Sequence, residues 1–469
     1  MTRKILHAAD IHLDSPLVAL DSYEGAPAEK IRGASRRALE NLTQLAIDQS
    51  VDVVVIAGDL YDGDWPDQNT GLFFCAQASR LINAGIHLAV IRGNHDAANR
   101  MTSSLPLPKN RDGSEVMLSE ERVDLHRLDS LGIAIHGQSY RQRDETANLA
   151  ERYPGPLSGM FNLGLLHTGL SGLPGHASYA PCTPGQLADK AYDYWALGHI
   201  HTRDEHQIAG AGPVVFSGNI QGRHVRECGP KGCLILEIDD RQQLVDRRFY
   251  PLDVVRWEVC DVDASGLQDQ EELFDTFRQW LDKTLPAVED RLLVARVQMS
   301  GATAEHHQMV SQQDQLESSL RAIAVHHGAG QVWLERLRVR TRPAEIAASE
   351  AAVAPEDVAA IEGPLQAVSA VTEELKADDN LVQWVQQELQ SLLRKCPPDW
   401  QEDPESLPCR LQRSATQAER RKQAESTSTS INSGGGSDSD KQLAGDTDLA
   451  RWIDDAAAEL TGRLLGSRT

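Results

Sequence analysis

The chain has 469 residues, 41% of them hydrophobic and 25% charged, which is typical of a globular protein of two or three domains. Its net charge of −23 argues against a protein that holds nucleic acid by bulk electrostatic attraction alone, and most of the acidic excess lies in the C-terminal half. No apolar run approaches the roughly 20 residues that a membrane-spanning helix needs.

The cysteines and the N-terminus indicate a cellular location. The seven cysteines are scattered without C-x-x-C spacing, and their odd number favours reduced thiols over a disulfide framework. The first residues, MTRKILHAADIHL, reach Asp10 and His12 too soon to resemble a secretory signal. We therefore expect a cytoplasmic protein that is not associated with a membrane.

The first predicted domain covers residues 1–252, where short β-rich runs alternate with helical stretches. The first two helical stretches cover residues 34–50 and 70–85, and the second ends at Gly85, a common helix C-terminal signal. Alternation of strands and helices, followed by consecutive strands, predicts a layered α/β domain. The β-rich runs cover residues 4–10, 51–59, 86–94, 132–137, 161–169, 194–200, 214–218 and 232–239.

A second, smaller α/β domain is predicted at residues 253–342. Its pattern is βαβαβ, in which each of two helices separates consecutive strands. The predicted strands cover residues 256–262, 291–299 and 331–341, and the predicted helices cover residues 269–285 and 309–325.

Strand patterns disappear after residue 342, and three further segments are predicted there. Residues 343–425 read as an acidic helical region, residues 426–444 as a flexible Ser/Gly linker, and residues 445–469 as a C-terminal helix. Apolar stripes at helical spacing need a surface to cover, which is either this chain or a partner. The stripes comprise Leu381, Val385, Leu389, Leu392 and Leu393 before the linker, and Leu449, Trp452, Ile453, Ala456 and Leu460 after it.

Polar side chains lie at the carboxyl ends of several of the predicted strands. Ligands of an α/β fold gather at the carboxyl ends of strands, so these groups are expected to converge. Each pattern alone has an ordinary explanation as a turn or a solvated side chain, but their ordered recurrence predicts a site. The groups are Asp10 and His12, then Asp59, then Asn94, His95 and Asp96, then His167, and finally His199 and His201.

The chemistry of these groups predicts a metal centre. Imidazoles, carboxylates and one carboxamide, without a thiolate, suit divalent Mn, Fe or Zn. They are too many for one ion and suit two ions about 3.5–4 Å apart. Asp59, alone on its loop, is the natural bridging carboxylate. Residues two apart on a strand point the same way, so Asp10 with His12, and His199 with His201, are expected to reach one locus.

The ordered set D-x-H, G-D, G-N-H-D, H and G-H-x-H resembles the signature of the calcineurin-like metallophosphoesterases over residues 4–250. The resemblance implies a β-sandwich flanked by helices, with two metal ions at strand ends. It assigns Asp10, His12 and His201 to one metal, Asn94, His167 and His199 to the other, and Asp59 to both. His95 is then the acid that protonates the leaving oxygen, or the group that steadies the phosphate.

Asp62 follows Asp59 by three residues. In the phosphatase branch of the family a carboxylate at this position pairs with the catalytic histidine, whereas archaeal and eukaryotic double-strand-break nucleases usually carry histidine and bacterial relatives often carry aspartate. The alternative for Asp62 is a solvated acid in the loop YDGDWPD.

Three further stretches, KILHAADIHLDSPL, GHASYAPCTPGQL and SGNIQGRHVRECGPKG, resemble bacterial DNA repair exonucleases of the SbcD and YhaO type. The resemblance implies a Mn²⁺-dependent DNA exonuclease or endonuclease with a two-metal mechanism. It also implies that residues 253–342 form a capping domain, that the acidic tail binds a coiled-coil ATPase subunit (SbcC-like or YhaN-like), and that the chain forms a homodimer.

Substrate contacts and the activity itself have alternatives. Arg223, His224 and Arg226 are either phosphate contacts on the substrate side or ordinary surface ion pairs. A phosphodiesterase or phosphatase acting on small phosphoesters is the first rival, and the predicted capping domain counts against it. A structural adaptor with a vestigial site is the second rival, and the full set of ligand residues counts against that.

Overall fold

The computed structural model describes residues 2–15, 31, 33–63, 69–97, 107–170, 179–208, 212–267 and 269–344. The chain divides into two units, residues 1–303 with 308–341, and residues 304–307 with 342–469. The first unit holds the three β-sheets described below.

The first sheet has five strands in the order β11-β10-β1-β2-β3. Strands β1, β2 and β3 are parallel, and β10 and β11 extend the sheet in antiparallel fashion from β1. Strand β2, VVVIA, is buried along its whole length, as expected for a central strand covered on both faces. The strands are β1 (Arg3–Ala8), β2 (Val53–Ala57), β3 (His87–Ile91), β10 (Gly232–Ile238) and β11 (Leu244–Pro251).

The second sheet has six strands in the order β4-β5-β6-β7-β9-β8. Strands β5, β6, β7 and β9 are parallel, while β4 and β8 are antiparallel to their neighbours. The strands are β4 (Asp124–Leu128), β5 (Ile133–Gly137), β6 (Phe161–His167), β7 (Tyr194–Gly198), β8 (Asp204–His206) and β9 (Val214–Phe216).

The two sheets pack face to face around a shared apolar core. Val55 and Ile91 of the first sheet share this core with Ile135 and Leu165 of the second. Helices α1 (Ala34–Asp48) and α2 (Asn69–Asn83) cover the outer face of the first sheet. The inner face of α1 comprises Ala34, Ala38, Leu39, Leu42, Thr43 and Ala46, at the three- and four-residue spacing of an amphipathic helix.

The third sheet, of order β12-β13-β14, forms the smaller α/β part. Helices α5 (Gln270–Val288) and α7 (Gln313–His327) bury Phe277 and Leu320 against one face of it. The other face carries Trp257 and Val294, which pack beside Val225 from the loop before β10. The elements of this part are β12 (Val255–Asp263), α5 (Gln270–Val288), β13 (Leu292–Thr303), α6 (His306–Ser311), α7 (Gln313–His327) and β14 (Val332–Pro343). Two short helices, α3 (Asn94–Ala97) and α4 (Pro184–Ala188), belong to the two-sheet sandwich.

The predicted fold class, sheets flanked by helices in a sandwich with a small α/β part, is confirmed. The structure differs in detail, because the single helix predicted at 309–325 is divided into α6 and α7. The segments predicted beyond residue 344, with their apolar stripes, the linker and the last helix, lie outside the described residues. Within the described ranges, no helix is both long enough and apolar enough to cross a membrane.

Candidate metal centre

The predicted ligands lie on loops at one end of the sandwich. Asp10, Asp59 and Asn94 follow the parallel strands β1, β2 and β3, while His167 ends β6 and His199 follows β7. Both sheets therefore direct the carboxyl ends of their parallel strands to the same edge, as the sequence predicts. All of these side chains are buried or nearly so.

The loops reach the site through backbone conformations that the sequence did not reveal. Asp10, His12, Asp59 and His199 have φ angles of 51°, 46°, 50° and 104°. Such positive values cost free energy in non-glycine residues and are concentrated at functional sites. The expectation that Asp10 with His12, and His199 with His201, alternate along strands is wrong, because β1 ends at Ala8 and β7 at Gly198. Asp10 and His12 converge through residues in the left-handed conformation instead.

Two glycines of the motifs allow the loops to approach closely. A Cβ atom at Gly93 would overlap the carboxylate of Asp59, and one at Gly198 would overlap the carbonyl oxygen of Ala57. A side chain at either position would push the strand ends apart. The glycines of G-N-H-D and G-H-x-H are thus required by packing between the loops.

Two groups of candidate ligands share Asp10, and Asp59 lies close to both groups. Potential ligand atoms of Asp10, His12 and His201 lie within 4.8 Å of one another, as do those of Asp10, Asp59 and His167. The Oδ2 atom of Asp59 is 3.8 Å from His12 Nε2 and 3.4 Å from His167 Nε2. On the second side, His167 Nε2 is 3.0 Å from Asn94 Oδ1, and the ring centroids of His167 and His199 are 5.3 Å apart.

The ring nitrogens fit divalent metal ions. The Nδ1 atom of His167 is 2.8 Å from the Ala57 carbonyl oxygen, which fixes the proton on Nδ1 and leaves Nε2 facing Asp59. The Nε2 atoms of His12 and His201 approach each other to 3.1 Å, so both are directed at one locus. Buried carboxylates and imidazoles aimed at a common point are a donor set for metal.

Burial and the neighbouring charges shift the pKa values of the buried histidines in opposite directions. Burial, followed by the nearby Arg223, lowers the pKa of His12 to about 3, which keeps its imidazole neutral and able to coordinate. Burial opposes charge on His167, yet the Asp59 and Asp10 carboxylates raise its pKa to about 9. The carboxylates thus draw a proton onto the buried imidazole, and divalent ions are the stronger cations for the same place.

His95 and Asp62 lie beside this cluster and contact each other. The Nδ1 atom of His95 is 2.6 Å from Asp62 Oδ1, and Ser15 Oγ donates to Asp62 Oδ2 at 2.5 Å. The backbone N–H of His95 donates to Asp59 Oδ1 at 2.9 Å. Although burial disfavours the charged imidazole, Asp59 and Asp62 raise the pKa of His95 above its usual value. His95 is 28% exposed at its side chain, so a substrate can reach it.

Asp96 is the last residue of the G-N-H-D motif, and its role is structural. Its carboxylate accepts the backbone N–H groups of Leu60, Tyr61 and Gly93, each at 2.8–3.0 Å. It therefore ties the loop after β2 to the loop after β3, and with them the positions of Asp59 and Asn94. Burial and the neighbouring Asp59 raise the pKa of Asp96 to about 6.

Glu227 is a site residue that the sequence analysis missed. Its Oε1 atom is 2.7 Å from His201 Nδ1, so it contacts the ring nitrogen opposite the one that faces His12. The only signal in the sequence is an acid inside the basic segment 223–231.

The three residues predicted to contact phosphate are placed differently from one another. The guanidinium of Arg223 points inward and lies 3.4 Å from both Asp62 and Glu227. His224 is 42% exposed, with Nε2 3.5 Å from Glu227, and Arg226 is exposed.

Comparison with known proteins adds independent information. Residues 3–203 match the family model of the calcineurin-like phosphoesterases, and residues 257–342 match the model of the metallophosphoesterase YhaO middle domain. The chain is 32% identical over 289 residues to the uncharacterized metallophosphoesterase YhaO of Bacillus subtilis, a match that covers 60% of this chain and 69% of the relative.

Two nuclease relatives are more distant. The chain is 26% identical over 293 residues to the DNA double-strand break repair protein Mre11 of Methanopyrus kandleri, covering 58% of this chain and 61% of that protein. It is 31% identical over 110 residues to one of the subunits of the nuclease SbcCD of Bacillus subtilis, covering 22% of this chain and 25% of that protein. The chain thus spans less than two thirds of the length of these two nuclease proteins.

Proposed function

This chain belongs to the calcineurin-like metallophosphoesterase family, and from that premise we propose that it is a Mn²⁺-dependent DNA exonuclease or endonuclease that acts in DNA repair. It is a metal-dependent phosphoesterase, and the finer assignment rests on one observation. Two groups of ligand atoms share the buried Asp10, the Asp59 carboxylate is 3.8 Å from His12 and 3.4 Å from His167, and the partly exposed His95 lies beside them. Relatives named as a DNA break repair protein and as part of a nuclease favour DNA over small phosphoesters.

In this proposal Asp59 would contribute a ligand to two metal sites. Asp10, His12 and His201 would hold the first ion, and Asn94, His167 and His199 would hold the second. When bound, the ions supply Lewis acidity and an activated water at neutral pH. Manganese is proposed over zinc or iron on the family resemblance, since the donor set suits all three.

The proton for the leaving oxygen is proposed to come from His95. Because Nδ1 of His95 faces Asp62 at 2.6 Å, Nε2 is the atom that can donate toward a substrate. The Asp62 carboxylate favours the imidazolium and fixes the ring orientation. Burial opposes ionisation of Asp62 itself, but the nearby His12, the contact with His95 and the Arg223 charge keep the pKa of Asp62 below the usual range.

Contacts outside the metal centre belong to the same proposal. We propose that His224 and Arg226, on the loop that also carries Arg223, contact the DNA phosphates, and that residues 253–342 act as the capping domain. A coiled-coil ATPase subunit of the SbcC or YhaN kind, a homodimer, a cytoplasmic location and the three C-terminal segments stay predictions.

The test is Mn²⁺-dependent hydrolysis by the full chain. Substrates are end-labelled linear duplex DNA, closed circular DNA, a nitrophenyl phosphodiester and a panel of nucleotides. His95→Ala removes the proposed acid, and His206→Asn, on the short strand β8, is the matched control. We expect DNA cleavage that is lost in His95→Ala and kept in His206→Asn.

A different outcome favours the alternative function. Turnover of nucleotides or small esters, with both DNAs left intact even after addition of an SbcC-like ATPase, would move the chain to the small-substrate phosphodiesterases. Cleavage of linear but not circular DNA would restrict the activity to an exonuclease.

A further inference from the structure

Two carboxylates each contact the Nδ1 atom of one histidine in the candidate site. Asp62 contacts His95 Nδ1 at 2.6 Å, and Glu227 contacts His201 Nδ1 at 2.7 Å. The guanidinium of Arg223 lies between them, with Nη1 3.4 Å from Asp62 and Nη2 3.4 Å from Glu227. One side chain therefore connects the proposed acid to a proposed metal ligand.

Glu227 is held by more than its ion pairs. Its side chain is 6% exposed, and Oε2 accepts from Asn219 Nδ2 at 2.8 Å and from the backbone N–H of Arg223 at 2.7 Å. Such a carboxylate has little freedom and can fix the ring to which it is bonded.

The orientation of His201 follows from this contact. A carboxylate paired with a guanidinium only accepts hydrogen bonds, and Glu227 Oε1 at 2.7 Å is nearer to His201 Nδ1 than the donor Arg223 Nη2 at 3.3 Å. The proton of the neutral imidazole therefore lies on Nδ1 and the lone pair lies on Nε2. That lone pair is directed at His12 Nε2, 3.1 Å away, where the first metal is proposed. A carboxylate behind a ligand histidine also raises its basicity.

We propose that Glu227 and Arg223 are positioning residues: Glu227 orients His201 toward the first metal, and Arg223 holds Glu227 and Asp62, and so His201 and His95, at a fixed separation. This rests on the proposed metal centre. It also changes the sequence-based prediction for Arg223, because a guanidinium that is 18% exposed and already shared by two carboxylates is poorly placed to receive a DNA phosphate.

The role of Glu227 is tested by metal binding, without catalysis. The metal-free full chain is titrated with Mn²⁺ alone in a calorimeter, as wild type, Glu227→Gln and Glu227→Ala. We expect Glu227→Ala to bind Mn²⁺ roughly 10–100-fold more weakly at one of two sites, and Glu227→Gln to recover part of the loss by keeping an acceptor for His201. The matched control is Glu335→Gln, another buried glutamate, which pairs with Arg296 in the third sheet.

The outcomes separate this proposal from the one on which it rests. If the wild-type chain binds no Mn²⁺, the metal centre fails. If the wild type binds two ions and folded Glu227→Ala binds them equally well, the positioning role of Glu227 is overturned. Circular dichroism and thermal unfolding of each metal-free variant establish folding, and Glu227→Gln supplies the comparison should Glu227→Ala fail to fold.

The role of Arg223 is tested by separating kcat from KM. Arg223→Met keeps much of the side-chain volume but cannot pair with carboxylates. A positioning role predicts a lower kcat on a nitrophenyl phosphodiester with KM and the dissociation constant for DNA little changed, and weaker Mn²⁺ binding. A phosphate contact predicts the reverse, higher KM and weaker DNA binding with normal Mn²⁺ affinity, and that result would overturn the proposal. Arg247→Met on β11, which removes an ion pair with Glu205, is the control.

Discussion

His95 and Asp62 are joined through Nδ1 and Oδ1 at 2.6 Å, while the backbone of His95 is fixed to Asp59. The Nδ1 atom of the ring thus contacts a carboxylate, while the side chain as a whole is partly exposed. This is the geometry of a general acid whose protonated form is stabilised by a neighbouring charge. A histidine that only steadied the phosphate would need the charge but not the transferable proton.

The two candidate roles of His95 are proton donation to the leaving oxygen and stabilisation of the phosphate. They predict different losses of rate on substrates with different leaving groups. Replacing Asp62 with Asn removes one of the two charges that raise the pKa of His95, the other being Asp59, so the imidazolium becomes scarcer at neutral pH. We expect kcat on DNA to fall about 100-fold, within the range for general acids. A nitrophenyl ester, whose leaving group needs little protonation, should lose far less.

The measurement is single-turnover cleavage of both substrates at saturating Mn²⁺. Equal losses on the two substrates would contradict the acid role and favour phosphate steadying. Asp129→Asn, which removes an exposed ion pair with Arg127, serves as the control for a changed surface charge.

Gly93 is predicted to be indispensable for metal binding. In Gly93→Ala the added Cβ overlaps the Asp59 carboxylate, and its neighbours include the backbone at Asp59, which cannot yield cheaply. We expect loss of at least one of two Mn²⁺ ions in calorimetry. The control is Gly113→Ala, where the added methyl group meets open space. Its φ of +84° means that this control also carries the backbone strain of an alanine in a left-handed position. Normal Mn²⁺ stoichiometry in Gly93→Ala would show that Asp59 is not a shared ligand.

Metal removal should destabilise the folded chain. The cluster buries Asp10 and Asp59 near each other, and cations bound only by the folded state stabilise it by mass action. At free Mn²⁺ about 100-fold above the dissociation constant, the gain is about 2.7 kcal/mol for one site. We therefore expect EDTA to lower the thermal midpoint by several degrees.

The matched comparison is Asp59→Asn. This variant should unfold at the same temperature with Mn²⁺ or with EDTA, because its proposed shared ligand is gone. A midpoint in the wild type that does not respond to EDTA would argue against metal bound in the folded state.

The candidate site was predictable to the extent that its residues end recognisable strands. Residues 53–57 and 88–91 are continuous apolar runs, so Asp59 and Asn94 could be placed at the same sheet edge from the pattern alone. The pairing of Asp62 with His95 came from family resemblance, because nothing in YDGDWPD distinguishes Asp62 from a solvated loop acid.

The remainder depended on information that is not local in sequence. The left-handed conformations at Asp10 and His12 have no glycine beside them to mark them, so alternation along a strand was the natural but wrong prediction. Glu227 meets His201 across 26 residues, and its role depends on how the loop before β10 folds back. Hydrophobic periodicity indicates which face of a helix or strand is buried. Contacts such as that of Glu227 with His201 depend instead on how distant segments of the chain pack together in the folded protein.

A histidine pair away from the site predicts loss of stability in acid. His87 Nε2 lies 2.9 Å from His126 Nδ1, and burial, followed by His126, lowers the pKa of His87 to about 4. In the unfolded chain His87 takes up a proton near its usual pKa of about 6.5. Between these values the unfolded chain binds more protons, so the free energy of unfolding decreases as the pH falls. At pH 5 the contribution of His87 is at most about 2 kcal/mol.

His87→Gln keeps a hydrogen-bonding group for His126 but cannot be protonated. Urea unfolding at pH 7.5 and pH 5 should therefore show a smaller loss of stability in the variant than in the wild type. His326→Gln, at an exposed position near the end of α7, should retain the wild-type loss. If His87→Gln loses as much stability as the wild type between the two pH values, the buried neutral His87 is not a source of acid sensitivity, and the acid loss must be assigned to other buried groups such as His7, whose pKa burial also lowers.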